Sequence, residues 1–127
     1  MNNLKQLTKD FLCACEGYHQ ILKELHWSAN NHATHELIDD IDGDVLDYED
    51  RIAECVMGIL DIKFGIGDLK TLLPSGKSIS AVLVEMRKDV SEYKENVGDK
   101  TEFAGLQNIL DEFMSSINKW DYLKTLA

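Results

Sequence analysis

The sequence predicts an all-α fold, a single bundle of four helices in which one long connection separates the second helix from the third. Three observations predict it. Apolar residues recur at alternating steps of three and four along four separate stretches, the spacing of a helix that buries one stripe. The chain has 127 residues and is 44% hydrophobic, enough for one core and too little for two ordinary domains. Its only proline, Pro74, shares the central segment IKFGIGDLKTLLPSGK with three of the eight glycines, and that combination breaks regular helix.

Each element follows from its own residues. The first helix runs roughly over 3–28, with Leu4, Leu7, Phe11, Ala14, Tyr18, Ile21 and Leu25 as its stripe. Leu12, Cys15, His19, Leu22 and His26 form a second face about 100° away. The polar break Ser28-Ala29-Asn30-Asn31 follows, and Asn30 or Asn31 can cap the next helix by accepting an orphan backbone N–H. The second helix covers about 32–62 and buries Ile38, Ile41, Val45, Tyr48, Ile52, Val56 and Ile59. The glycine- and proline-bearing segment then serves as a crossover able to join two parallel helices. The third helix begins near Ser78, presents Ile79, Val82, Leu83, Met86, Val90, Tyr93 and Val97, and stops at Gly98. Asp99-Lys100-Thr101-Glu102 has the form of a capping box opening the fourth helix. That helix presents Phe103, Leu106, Leu110, Phe113, Ile117, Trp120 and Leu123.

Composition narrows the function classes. With 23 Asp and Glu against 13 Lys and Arg, the formal net charge is −10, a field that repels phosphate backbones and attracts cations. The same acidity also serves solubility alone. No apolar run approaches a membrane span, and MNNLKQLTKD lacks the layout of a signal peptide, so a soluble cytoplasmic protein is expected. Cys13, Cys15 and Cys55 are odd in number and lack CxxC spacing. Reduced, buried thiols are expected, with neither a disulfide framework nor a zinc site.

The second helix carries a face apart from its core stripe. Setting His35 at zero and turning about 100° per residue puts Asp39, Asp50 and Glu54 within about 100° of it, whereas the core stripe spans roughly 200° to 340°. Gly43, Leu46, Ala53 and Met57 share the arc, so small and apolar residues interleave with the charged ones. Such a face expects a partner, and the simplest is a two-fold copy. In an antiparallel pair of identical helices, residues whose numbers share one sum face each other; 35 with 54 and 39 with 50 share one. His35 and Asp39 of one chain then meet Glu54 and Asp50 of the other. His26, at the end of the first helix, lies beside the turn. Imidazole and carboxylate donors with open positions suit ferrous iron, and zinc or manganese can occupy the same ligands.

These residues resemble the signature of the Dps branch of the ferritin-like superfamily: His26-Trp27 closing the first helix, His35-x-x-x-Asp39 opening the second, and Asp50-Arg51-Ile52-Ala53-Glu54 further along it. Asn118-Lys119-Trp120-Asp121-Tyr122-Leu123 resembles the family's last helix. The similarity covers most of the chain and is strongest from His26 to Glu54. It implies a ferritin-like four-helix bundle with a crossover between the second and third helices. It also implies oxidation of ferrous iron with peroxide or oxygen at a site shared between subunits, and ferric storage in a hollow homo-oligomer of about twelve subunits. His26, His35, Asp39, Asp50 and Glu54 would be iron ligands or their immediate support, and Trp27 either an electron donor to the site or an interface packing residue. Only seven residues separate Trp27 from His35, about three fewer than the family has, which leaves His32 open as a replacement for His26. The alternative function is a non-catalytic shell or helical scaffold. Direct DNA binding is not expected, because the N-terminal segment offers only Lys5 and Lys9 and the last helix ends almost at the last residue.

Overall fold

A computed structural model describes residues 3–127. Four α-helices account for most of them: α1 Leu4–Trp27, α2 His32–Leu60, α3 Ile79–Val97 and α4 Ala104–Leu123. The described residues contain no strand. Among the described residues, no helix is long and apolar enough to cross a membrane.

Side-chain caps set three of the four helix starts. The Asn3 side chain accepts the Gln6 N–H at 3.1 Å, Asn31 accepts from Thr34 at 2.8 Å, and Ser78 accepts from Ala81 at 3.2 Å. Each satisfies a backbone donor that has no partner inside its helix. Gly98 ends α3 with a φ of 83°, a conformation glycine adopts without a Cβ clash. The fourth start departs from the capping box expected at Asp99–Glu102. Here a short 3-10 turn, Thr101–Phe103, leads into α4, and neither it nor α4 receives a side-chain cap. Gln107 of α4 ties the end of α3 to this turn, donating to the carbonyls of Lys94 at 3.0 Å and Gly98 at 2.6 Å.

The predicted stripes meet in one core. All seven predicted core residues of α2 are buried except Ile59, which packs partly buried against the rest. α1 packs on α2 and α3, and α4 packs on the same two. Phe11 of α1 stacks on Tyr93 of α3 with ring centroids 4.5 Å apart, and Tyr48 of α2 stacks on Phe113 of α4 at the same separation. A buried Thr8–Tyr93 hydrogen bond of 2.6 Å joins α1 to α3, so the tyrosine hydroxyl is buried with its polar partner.

The second face expected on α1 belongs mostly to this core. Leu12, Cys15 and Leu22 are almost wholly buried within the chain, because α1 lies between two helices and its apolar surface must cover both. Only Cys15 of the three thiols is fully buried; Cys13 and Cys55 are partly exposed, and all three are free.

The connection over 61–78 contains no helix and is laid along α1. Asp68 pairs with Lys9 at 3.8 Å. Further along, the Lys70 N–H reaches Cys13 Sγ at 3.3 Å and the Leu72 N–H donates to the Cys13 carbonyl at 3.1 Å. Gly17 permits this approach, since a Cβ there would overlap the Leu72 carbonyl.

Candidate metal centre

The four-residue break between α1 and α2 brings the last turn of one against the first turn of the other. His26 and His35 meet there with stacked rings, centroids 3.7 Å apart and planes 23° from parallel. Each Nδ1 contacts the other residue's main-chain carbonyl, His26 to His35 O at 3.0 Å and His35 to His26 O at 2.9 Å. A carbonyl only accepts, so both Nδ1 atoms carry the proton, and in the neutral rings both Nε2 atoms carry the lone pair. A hydrogen bond from the other ring nitrogen to a carbonyl is also how metal-ligating histidines are held in orientation.

The four-residue turn therefore holds His26 beside His35. His32 stands apart, 82% exposed and paired with Glu36 at 3.1 Å. Asp39 lies one turn beyond His35 and is exposed. Asp50 and Glu54 are exposed as well, further down α2. At a rise of about 1.5 Å per residue, roughly 16 Å separates Asp39 from Asp50 and roughly 28 Å separates His35 from Glu54. Within one chain these residues thus form two separate groups. Among its described residues, no three His, Cys, Asp or Glu side chains converge at metal-binding geometry.

Between these groups, the α2 face is open. A Cβ on Gly43 would meet nothing within 4 Å, and Leu46 is 37% exposed. Residues 43 and 46 share the numerical sum of the 39–50 and 35–54 pairs, so in an antiparallel pair of the expected register each chain's Leu46 would lie over the other's Gly43. Trp27 is 70% exposed, with the Lys23 ammonium 5.5 Å above its ring.

Two further polar pairs line the α1–α2 contact, and sequence reasoning passed over both. His19 Nδ1 donates to Asp42 at 2.8 Å, and the Glu16 and Glu49 carboxyls share a hydrogen bond. Glu49 Oε2 is buried with no hydrogen-bond partner. Burial first, then the hydrogen bond and the repulsion from Glu16 and the charge of Asp50, push the Glu49 carboxyl up to about 8. Glu16 and His19 also have the Glu-x-x-His spacing of an intrabundle metal site. Their partners here are Asp42 and Glu49, while the intervening Tyr18 bonds to Asp89 of α3. The signal available in the sequence was the sevenfold spacing of His35, Asp42 and Glu49, matched by His26 and His19 on α1.

Comparison with family models, curated proteins and solved structures found no match to this chain.

Proposed function

We propose that this chain is a Dps-like ferroxidase of the cytoplasm, oxidising ferrous iron at a site completed by a two-fold partner and storing the ferric product in a hollow homo-oligomer. The observation that carries the reading is the His26–His35 pair, two imidazoles oriented by main-chain carbonyls with both Nε2 atoms unpartnered and Asp39 one turn away. The self-complementary face of α2 supports it, because Gly43 leaves room for the partner's Leu46 in the register that brings Asp50 and Glu54 to the histidines.

The contacts of the bundle support the ferritin-like part of the proposal. Tyr18 bonds to Asp89 and Thr8 to Tyr93, so α3 runs antiparallel to α1. His26 meets His35 and His19 meets Asp42, so α2 does too. A crossover along α1 then joins parallel α2 and α3.

Iron is the substrate in this reading. Imidazole nitrogens and carboxylate oxygens accept ferrous iron, and the anionic oxygens favour the more highly charged ferric product. Each turnover passes one electron from each of two ferrous ions to one hydrogen peroxide. The O–O bond breaks, two protons are taken up, and two waters and two ferric ions result. His26, His35 and Asp39 of one chain with Asp50 and Glu54 of the partner hold the ions, and Trp27 stands beside the site as electron donor or interface residue.

An anaerobic ferrous titration followed by peroxide tests the proposal. Saturable binding and consumption of one peroxide per two ferrous ions, by a particle much larger than one chain, is the expected result. A large particle that binds no iron and does not accelerate its oxidation would establish the non-catalytic shell or scaffold instead.

A further inference from the structure

We propose that pairing of two chains through α2 is coupled to uptake of divalent cations, the ion closing an interface that its own charges hold open. The inference rests on the shared-site reading above and adds a control of assembly to it. From His32 to Leu60, α2 carries nine Asp or Glu residues and a single Lys or Arg, Arg51. That one cation is already committed. Arg51 bonds to Glu112 of α4, lies 3.9 Å from Asp47, and sits 5.5 Å above the Tyr48 ring.

The register that builds the site therefore gathers Asp39 of one chain with Asp50 and Glu54 of the other, with no cationic side chain of α2 to neutralise them. Lys23, the lysine nearest the turn on α1, is held over Trp27. Taking three carboxylates out of water with no paired cation opposes closure. The apolar contribution from the same face is narrow: Leu46 over Gly43, flanked by half-buried Ala53 and Met57. A divalent ion bound by both chains reverses the balance. An ion that prefers the paired state stabilises it by mass action, and pairing raises the ion's affinity to the same degree.

Zinc separates assembly from oxidation, because Zn²⁺ takes the same donors and has no redox chemistry. Protein stripped with a chelator would be followed by sedimentation velocity while Zn²⁺ is added and then removed. The expected result is a small species whose mass at least doubles with Zn²⁺ and returns with chelator, and a double variant, Asp50→Asn with Glu54→Gln, whose mass no longer responds. If stripped wild-type protein is already assembled and zinc changes nothing, the coupling is wrong and the shared site stands. If the chain stays monomeric with and without zinc, the shared site falls with it. A zinc response retained by the double variant would place the bridging ion elsewhere and overturn the proposal.

Discussion

At the scale of single residues, the two buried-edge pairs on α1 and α2 do opposite things. His26 and His35 satisfy each other's backbone and leave both Nε2 atoms open, whereas burial and the neighbouring Glu16 push the Glu49 carboxyl up to about 8. Glu49 binds its proton more tightly in the folded chain, so its contribution to stability is complete below the ordinary carboxyl value of 4.5 and is lost as pH rises toward about 8. Glu49→Gln keeps the hydrogen-bonding shape without the charge. Thermal unfolding at pH 8 should show the variant about 4 °C more stable than wild type, with the gap closing by pH 5. An unchanged gap across that range would mean that Glu49 does not carry the proton. Beyond its sevenfold spacing from His35 and Asp42, nothing in the sequence near Glu49 announced this, since its partner comes from the other helix, thirty-three residues earlier.

At the scale of elements, the helices were legible because burial on one side imposes a period, and Ile38, Ile41, Val45, Ile52 and Val56 lie where that period puts them. The start of α4 was not legible. A capping box needs residue 99 to adopt cap geometry, and the chain instead enters through a 3-10 turn in which Phe103 N–H donates to Lys100 O at 2.9 Å. The second face of α1 was legible as a face but not as core, for a related reason: periodicity shows how many sides are apolar, not which neighbour covers them. Gly17 and Gly43 illustrate the difference, both mid-helix glycines with opposite surroundings. Gly17→Ala would push the connection off α1 and should cost about 1–3 kcal/mol. Gly43→Ala fills open space and should stabilise the isolated fold by about 1 kcal/mol through helix propensity. Urea unfolding of the two variants checks both; equal effects would show that the connection does not rest on Gly17.

At the scale of the whole molecule, one chain carries the two halves of a candidate site at opposite ends of a single long helix, and only a second chain can join them. The two histidines were legible from their places on either side of the turn, and Asp39, Asp50 and Glu54 as exposed residues from their arc on α2; that they serve one site is the proposal. That the four-residue turn brings His26 onto His35 required the coordinates, since helix angles alone do not show how four residues fold back. Complementation tests the shared site most directly. His35→Ala with Asp39→Ala destroys one half, Asp50→Ala with Glu54→Ala destroys the other, and all four positions lie off the core stripe. Each double variant alone should oxidise ferrous iron slowly. After the two are unfolded and reassembled together, about half the dimers are mixed and each mixed dimer regains one intact site of two, so about a quarter of wild-type peroxide-dependent activity should return. No recovery in a sample whose mixed dimers have been verified by mass would contradict the shared site.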